Sequence, residues 1–561
     1  MTRAVVVALA VAWSGLAHAG APSRDARVSE ALGKLVDQLK PLQRAVNLSW
    51  YQASVTGADA DFAASEDAQN AVDAFLGDAR RFEQVRGFWK DRERLRPETA
   101  RQVGILYREM LGKQVPAELL QRINKLQGEA EKTFNAYRAT VGGKELSQNE
   151  LKKVLRESKD EGELRAAWEG QKAVGPVVLA SLLELVDLRN QVARTLGFRD
   201  HYALALEINE QGEKELLALF DELDAVTREP FLALKGEADA RLAARLGIEV
   251  GALRPWHYQD FFFQEPPQVF DVDYEAIYGG HDVIELSRRF YEGIGLPVDD
   301  VLARSDLKEK PGKTPHAFCA DIDREEDVRV LANVVDGFDW ASTMVHELGH
   351  AVYDKFKDRK APYLLRGPSH WLTTEGFAMM LNKLVLNPHW IEAMVGLDAE
   401  RRDAMLPAAR KMVAFNSLAF ARWCLVMLHF ERALYADPKQ DLSRLWWDLV
   451  ERYQGMKRPP DRTAPDFASK VHLVVAPVYY HNYMMGELFG AQVHAVIARD
   501  VQKVADPFEA VYVGDPKVGA FLKERLFEPG ARLSWGELTR AVTGEALSPR
   551  AYAEQVSRLA R

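Results

Sequence analysis

Two histidines and a glutamate lie close together in the stretch MVHELGHAVYDKF, which covers residues 344–356. On an α-helix, residues four positions apart lie on the same face, about 6 Å apart along the axis. His346 and His350 could therefore each bring a ring nitrogen to about 2.1 Å from one zinc ion. Glu347 projects beside this pair, where it could reach a water molecule at the metal. The alternative for this motif alone is a helix with two hydrogen-bonded histidines.

A second glutamate could complete the set of metal ligands. Glu375 follows His350 by 25 residues and lies among apolar residues in SHWLTTEGFAMMLNKLV. A carboxylate on an apolar helix needs a partner, because an unpaired buried charge is costly. Two histidines and one glutamate would leave one zinc position open, as catalytic zinc sites require. The alternative interpretation of Glu375 is a carboxylate on the surface of a helix.

These residue types indicate hydrolytic chemistry. Zinc lowers the pKa of a water molecule from about 16 to about 7, and Glu347 could accept the proton as this water attacks a carbonyl carbon. The same carboxyl group could then protonate the leaving amine. The resulting oxyanion needs a hydrogen-bond donor opposite the zinc, so we expect such a donor elsewhere in the chain.

The elements that position these residues are mainly helices. In residues 25–247, apolar residues recur at intervals of three and four positions, and glycines and prolines are few. This pattern predicts long packed helices. Two short strands are predicted within 315–335. The motif helix is predicted over 340–358 with Asp339 as its N-cap, and a second helix over 369–387. The predicted fold is mostly α with a small β-sheet near the zinc site.

Composition excludes several classes of protein. The chain has 561 residues, 47% hydrophobic and 28% charged, as in soluble globular proteins. A net charge of −9 leaves no basic surplus for phosphates, so we expect no nucleic acid partner. Two cysteines exclude an all-cysteine metal site, and we interpret Cys319 and Cys424 as buried free thiols, with one disulfide as the alternative.

The N-terminus predicts export. Residues 1–19 contain Arg3, an apolar run and the small-residue site Ala17-His18-Ala19, which together are typical of a signal peptide cleaved after Ala19. A membrane anchor is the alternative, but thirteen apolar-rich residues are short for a span. We expect a periplasmic or secreted protein whose mature chain has no membrane span.

Three segments of the C-terminal half resemble zinc peptidases of the angiotensin-converting-enzyme family. HELGH with Glu375 resembles the family's HExxH and downstream glutamate, and HAFCADIDREEDVRV resembles its edge strand. DFASKVHL followed by PVYYHNY resembles the family's DPASKFHI followed by PYIRY. The resemblance implies a large two-lobed helical body around a deep cleft. Residues 20–561 would form a single, monomeric zinc peptidase, with 20–250 as the mainly helical cleft and lid portion and 251–561 as the zinc-site portion.

The resemblance also implies a role for each matching position. The expected residues are the zinc ligands His346, His350 and Glu375, the base and acid Glu347, the oxyanion donor Tyr483, and the substrate contacts His316, Ala317, Lys470, His472 and Tyr480. His316 and His472 would bind the substrate carbonyl beyond the cut bond, and Ala317 would offer its backbone to the peptide. Lys470 and Tyr480 would bind the C-terminal carboxylate of a short peptide, which implies release of dipeptides. From the residues alone, Lys470 would be a solvated charge, and the histidines and tyrosines ordinary packing residues.

Some positions near the tyrosines depart from the family's pattern. One extra residue separates His472 from the tyrosines, so Tyr479, Tyr480 and Tyr483 all stay candidates for the oxyanion donor. Asn482 stands where the animal enzymes carry an arginine that binds chloride. The expected cofactor is zinc, one ion per chain. Because Asn482 replaces the arginine, activation by chloride is not expected.

Two supporting residues have no direct match. Met379 stands where the family has an acidic residue, which makes Asp354 the candidate for supporting a zinc-bound histidine. We match the family's glutamine that helps hold the terminal carboxylate to Gln259 by position alone, in the aromatic loop 253–274.

Two other functions stay open. Thimet-type oligopeptidases and HExxH carboxypeptidases also place a glutamate on a second helix. Lys470 discriminates between an endopeptidase and an enzyme that grips the terminal carboxylate, because only the endopeptidase should accept a peptide with an amidated C-terminus. A non-catalytic homologue would bind peptides in the same cleft without cutting them.

Overall fold

The computed structural model describes residues 23–270 and 272–560. The predicted signal peptide, residues 1–19, lies outside these ranges. Within them the chain forms 23 α-helices and two small antiparallel sheets. The prediction of a mostly α fold is therefore confirmed.

The helices and strands follow one another along the whole chain. The N-terminal helices are α1 Arg24–Thr56, α2 Asp59–Leu76, α3 Ala79–Lys90, α4 Pro97–Leu111, α5 Ala117–Ala136, α6 Gln148–Glu157, α7 Glu161–Lys172, α8 Val174–Thr195, α9 His201–Ile208 and α10 Glu213–Leu246. The later helices are α11 Tyr274–Tyr278, α12 Val283–Gly293, α13 Asp299–Arg304, α14 Phe338–Lys355, α15 Trp371–Asn382, α16 Pro388–Val395, α17 Ala399–Ala436, α18 Leu442–Gln454, α19 His472–Val475, α20 Tyr480–Val496, α21 Pro516–Leu522, α22 Trp535–Thr543 and α23 Arg550–Leu559. The strands are β1 Ala139–Val141, β2 Lys144–Leu146, β3 Phe318–Asp321 and β4 Val328–Leu331.

The two strands predicted before the motif helix are present. β3 and β4 pair antiparallel, with Phe318 opposite Leu331 and Asp321 opposite Val328. The first sheet, β1–β2, interrupts the region predicted to be helical throughout. Its turn contains Gly142 with φ 58°, a left-handed conformation that glycine adopts at little cost.

The predicted boundaries of the two site helices need correction. α14 begins at Phe338 with Gly337 at the N-cap position, so Asp339 lies in the first turn. Its negative charge still interacts favourably with the N-terminal end of the helix dipole. α15 begins at Trp371 rather than near 369, because the His370 ring accepts a hydrogen bond from the Leu372 backbone N–H at 3.0 Å.

The buried hydrophobic side chains form two main clusters. The larger cluster includes residues from α5 to α23 and surrounds the faces of α14, α15 and α20. The second is built mainly by α1–α4, with residues of α8 and α9. The boundary predicted near residue 250 stays a prediction, since the larger cluster includes helices from both sides of it.

One described helix, α17, is long and apolar enough to cross a membrane by length and composition. Its most apolar 18-residue window has a mean hydropathy of 1.4, and 83% of that window is buried inside the fold. The helix lies in the larger hydrophobic cluster, which accounts for its apolar sequence.

Candidate metal centre and substrate site

α14 and α15 bring the three predicted zinc ligands together. The Nε2 atoms of His346 and His350 lie 3.1 Å apart. Each lies 3.6 Å from an oxygen of the Glu375 carboxylate. One ligand atom from each residue falls within 4.8 Å of the others, so a single metal ion could contact all three. Two imidazoles and a carboxylate are the donor set of a catalytic zinc site.

Glycines allow the helices of the site to approach closely. A Cβ atom at Gly349 of α14 would lie 3.2 Å from the Cα of Ala378 in α15. A Cβ atom at Gly376, next to Glu375, would lie 2.3 Å from the carbonyl oxygen of Gly486 in α20. Position 376 cannot hold a larger residue unless the backbone of α15 or α20 moves. Gly376 therefore allows α15, and with it Glu375, to pack directly against α20.

A threonine supports His350, and sequence analysis missed it. The Nδ1 of His350 lies 2.8 Å from the hydroxyl oxygen of Thr374, one residue before the ligand Glu375. The predicted supporting residue, Asp354, instead lies 3.4 Å from the Nζ of Lys357. Partners of this kind fix the orientation of a metal-binding imidazole and leave Nε2 free for the metal.

The charges of His346 and Glu375 suit metal binding. Burial, assisted by the neighbouring His350, lowers the pKa of His346 to about 4, so this ring is neutral near pH 7. Although burial alone would raise it, the pKa of Glu375 is lowered by its hydrogen-bonding interaction with His350, and the carboxylate in turn raises the pKa of His350. A neutral imidazole and an ionised carboxylate are the forms that bind zinc.

Glu347 lies beside the ligands and is only 8% exposed. Burial raises its pKa to about 7, with a further contribution from the negative charge of Glu375. The backbone N–H of Cys319, in β3, favours the ionised form and opposes this rise. A carboxyl group with a pKa near neutrality can both accept and return a proton.

Two of the three candidate tyrosines are influenced by the charge of Glu375, a candidate metal ligand. The rings of Tyr479 and Tyr483 have centroids 5.1 Å apart and meet edge to face. Burial raises the pKa of both hydroxyl groups, and the charge of Glu375 raises both further, which places each of them near that carboxylate. The hydroxyl of Tyr480 lies elsewhere, 3.4 Å from Oε1 of Gln264. The structure therefore leaves Tyr479 and Tyr483 as candidates for the oxyanion donor.

Lys470 and Tyr480 share a partner in a pocket lined by aromatic rings. The Nζ of Lys470 donates a hydrogen bond to Oε1 of Gln264 at 2.7 Å. It also lies 5.0 Å from the ring centroid of Phe262 and 5.2 Å from those of Trp423 and Tyr480. Lys470 is not the solvated charge that the residue alone would suggest.

Gln264 replaces Gln259 as the glutamine of this pocket. The Oε1 of Gln259 accepts a hydrogen bond from the backbone N–H of Gln268 at 2.8 Å, so this side chain bonds within its own loop and not to Lys470. Gln259 has φ 62°, and this left-handed residue redirects the chain before Gln264. Both glutamines lie in the segment QDFFFQ, so spacing alone could not separate them.

Two buried lysines lie in or beside this pocket. Burial lowers the pKa of Lys470 to about 8, while the charges of Asp260 and Glu265 oppose the shift. Lys172, which sequence analysis did not identify, lies 3.3 Å from the Phe262 ring centroid. Burial lowers its pKa to about 7, although the charges of Asp466 and Asp260 oppose the shift. Lys470, protonated below pH 8, would attract an anionic ligand group.

His472 has a free hydrogen-bonding atom at this site. Its ring centroid lies 4.9 Å from that of Tyr480. Its Nδ1 atom is buried and has no hydrogen-bond partner within the described residues. Burial lowers the pKa of His472 to about 4, so the ring is neutral and one of its nitrogens can donate to a substrate carbonyl.

The other predicted substrate contacts immediately precede β3. His316 is exposed and Ala317 half-buried, directly before Phe318. The strand supplies the backbone N–H of Cys319 that interacts with Glu347. Both residues thus lie next to the strand that contacts Glu347, and their contact with a peptide stays a prediction.

Asn482, a position at which sequence analysis found a departure, makes a buried side-chain contact. Its Oδ1 accepts a hydrogen bond from Nε2 of Gln211 at 2.6 Å. The other end of Gln211, Oε1, lies 2.7 Å from Nε2 of His481. The amide of Gln211 therefore joins two buried residues of the first turn of α20. Independence from chloride stays a prediction.

The two cysteines do not form a disulfide. Cys424 is buried and Cys319 is half-buried, and both are free thiols.

Comparison with known proteins adds independent information. The Peptidase_M2 family model, described as angiotensin-converting enzyme, matches residues 29–228 and 272–553. The chain is 23% identical over 474 residues to angiotensin-converting enzyme-like protein Ace3 of Mus musculus, an alignment that covers 78% of this chain and 63% of that protein. It is 24% identical over 449 residues to the angiotensin-converting enzyme of Haematobia irritans exigua, covering 72% of each.

A mammalian relative is much longer than this chain. The angiotensin-converting enzyme of Mesocricetus auratus is 23% identical over 468 residues, which are 77% of this chain and 35% of that protein. The chain thus spans less than two thirds of the length of the mouse and hamster relatives. The family model, in contrast, matches most of the chain, including every candidate zinc ligand. The chain therefore belongs to the angiotensin-converting-enzyme family of zinc metallopeptidases.

Proposed function

We propose that this protein is a peptidyl-dipeptidase that removes dipeptides from the C-termini of short peptides. The pocket formed by Lys470, Tyr480 and Gln264, here called the carboxylate pocket, carries the proposal: the lysine and the tyrosine converge on the glutamine in a buried site that holds a cationic side chain. A peptide's terminal carboxylate could replace or join the glutamine oxygen there and accept charge-assisted hydrogen bonds. Such a pocket favours cleavage near a free C-terminus.

Each residue of the site has a distinct task in this reaction. Zinc held by the two histidines and Glu375 would polarise the peptide carbonyl and make a water molecule more acidic. Glu347 would accept a proton from the attacking water and deliver it to the departing amine. Tyr483 or Tyr479 would donate a hydrogen bond to the carbonyl oxygen as its negative charge grows.

His472 and the β3 segment would hold the peptide in register. The unpartnered Nδ1 of His472 could bind the carbonyl beyond the cut bond. His316 and Ala317 would support the extended peptide along the edge of β3. Holding both ends of a short peptide makes the attack effectively intramolecular, which accounts for large rate gains in enzymes.

A pair of matched substrates tests the proposal. We expect the zinc-loaded protein to release a dipeptide from an N-terminally blocked tripeptide with a free carboxylate, and to leave its C-terminal amide intact. Products are identified by mass, with and without a chelator. Equal cleavage of both peptides would remove the role given to Lys470 and favour an oligopeptidase.

A variant separates catalysis from peptide binding. Glu347→Gln keeps the size of the side chain but cannot accept a proton, so we expect a loss of turnover of at least about 1000-fold with normal zinc content. A wild-type protein that binds zinc and peptides but cuts neither substrate would instead be a non-catalytic homologue. Zinc content is measured by elemental analysis of the same samples.

Export and a monomeric state are also part of the proposal. Residues 1–19 have the pattern of a signal peptide, and the mature chain would begin at Gly20. N-terminal sequencing of the protein isolated from each compartment of the producing cell tests this, and a chain that keeps residues 1–19 would contradict it. Light scattering of the purified protein tests the monomer.

A further inference from the structure

The residues between His472 and Tyr479, 473–478, are here called the connecting segment. It joins the predicted substrate histidine to the tyrosines of the site and contains a strained residue, Val478, with φ 56°. A β-branched residue in this left-handed region is a strained conformational outlier. Such a conformation persists only where surrounding contacts stabilise it.

Two buried polar side chains from different helices contact the connecting segment. Glu431 of α17 accepts a hydrogen bond from the backbone N–H of Val478 at 3.0 Å. Arg189 of α8 donates to the carbonyl oxygens of Leu473 at 3.1 Å and Val474 at 2.6 Å. Glu431 binds one end of the segment, and Arg189 binds the other.

Packing alone does not account for these two residues. Glu431 is 2% exposed and Arg189 5% exposed, and burying the carboxyl group of the one and the guanidinium charge of the other costs free energy that burying apolar side chains would not. Their hydrogen bonds instead fix the direction of three backbone groups, which an apolar side chain could not do.

The position of the connecting segment determines the position of the site. Tyr480 follows Val478 by two residues and reaches Gln264 in the carboxylate pocket. Tyr483 lies one turn further along α20, beside Tyr479. A change of backbone direction at Val478 would therefore move the first turn of α20, and with it both the carboxylate pocket and the candidate oxyanion donors.

We propose that Glu431 and Arg189 are positioning residues that hold the connecting segment and thereby align His472 with Tyr480 and Tyr483. Neither side chain contacts the substrate in this account. The catalytic consequence rests on the proposed peptidase function, whereas the structural consequence, restraint of the connecting segment, does not.

Amide hydrogen exchange tests the restraint without any reference to activity. In Glu431→Leu we expect exchange at least tenfold faster for amides of residues 473–480, with unchanged exchange in α14 and α15. Glu431→Gln keeps a carbonyl acceptor for Val478 and should exchange like the wild type. Glu109→Leu, which removes a buried carboxyl in α4, is the matched control and should leave this segment unchanged. Wild-type exchange of the segment in Glu431→Leu would overturn the proposal.

Kinetics then test the alignment. We expect Glu431→Leu to lower kcat at least tenfold while zinc content and melting temperature stay near those of the wild type. Adding Val478→Gly should recover part of this loss, because glycine adopts φ 56° without strain. Unchanged kcat and KM in Glu431→Leu with faster exchange would overturn the alignment.

A milder variant covers the case in which Glu431→Leu does not fold. Arg189→Lys keeps the charge but cannot make both carbonyl hydrogen bonds, so the amides of Val475 and Ala476 should exchange faster. Their unchanged exchange would overturn the role of Arg189. A wild-type protein that cuts no peptide would refute the proposed function, while the exchange measurements would still decide whether these residues hold the segment.

Discussion

The Nδ1 of His350 lies 2.8 Å from the hydroxyl of Thr374, the residue immediately before Glu375. One turn of α15 thus provides both a candidate metal ligand and the hydrogen-bond partner of another ligand. When Nε2 binds the metal, the proton of His350 must reside on Nδ1, where it can be donated to Thr374. Movement of α15 relative to α14 would disturb the ligand and its supporting contact together.

Thr374→Val should therefore weaken zinc binding. Valine has nearly the same shape but no hydroxyl, so we expect an affinity for zinc about 10–100-fold lower, measured by competition with a chelating dye. Thr374→Ser keeps the hydroxyl and should bind zinc like the wild type. Equal affinity of the valine variant and the wild type would show that the threonine does not support the ligand.

The metal ligands could be predicted from the geometry of a helix, whereas the residues that support them depend on contacts between distant parts of the chain. The spacing of His346 and His350 determines their common face on any helix, and the polarity of Glu375 on an apolar helix indicated that it has a partner. Thr374 could not be chosen over Asp354, because the choice depends on how closely two helices pack at their glycines. The glycine spacing was visible in the sequence, but which helix faces each glycine was not.

The backbone conformation of a loop explains why Gln259 was chosen wrongly. Gln259 and Gln264 lie five positions apart in one aromatic segment. Gln259 has a left-handed backbone, and it is Gln264 that contacts Lys470. Sequence analysis also missed the β1–β2 hairpin, because strands of three residues are too short to show an alternation of apolar and polar residues.

The rate of dipeptide release should fall as the pH rises through about 8. Burial lowers the pKa of Lys470 to about 8, so above this pH the free enzyme loses the positive charge that binds the peptide carboxylate. We expect kcat/KM to fall about tenfold per pH unit on this side, through KM, while kcat changes less.

Lys470→Arg provides the control for this pH dependence. A guanidinium group stays protonated at pH 8–10, so the fall near pH 8 should disappear even if the geometry of the pocket raises KM. A fall of the same shape in the arginine variant would assign the titration to another group.

Removing the charge of Glu431 should stabilise the protein at high pH. Burial raises the pKa of Glu431 to about 8 from about 4.5, and the groups that face it are Arg189, Tyr202, Tyr435 and Tyr480. Between these values the folded chain keeps a proton that the unfolded chain releases, so the free energy of unfolding falls as the pH rises. The contribution of Glu431 to the free energy of unfolding is therefore greatest at about pH 4.5 and below.

Urea unfolding at pH 5, 6, 7 and 8 measures this effect. Relative to the wild type, Glu431→Gln should become progressively more stable across the series, because it has no proton to lose. Glu66→Gln changes an exposed carboxylate and should show a nearly constant difference. A constant difference for Glu431→Gln as well would mean that Glu431 is ionised in the folded protein at neutral pH.

A single methyl group should separate α15 from α20. In Gly376→Ala the new Cβ would lie 2.3 Å from the carbonyl oxygen of Gly486, and neither atom belongs to a flexible side chain. We expect a loss of about 1–3 kcal/mol in the free energy of unfolding, together with weaker zinc binding because Glu375 is displaced with its helix. Gly367→Ala, where a Cβ meets nothing within 4 Å, is the control for the glycine-to-alanine change itself. Normal zinc affinity in a destabilised Gly376→Ala protein would show that α20 moves instead of α15, and a crystal structure of the variant would then show a displaced Tyr483.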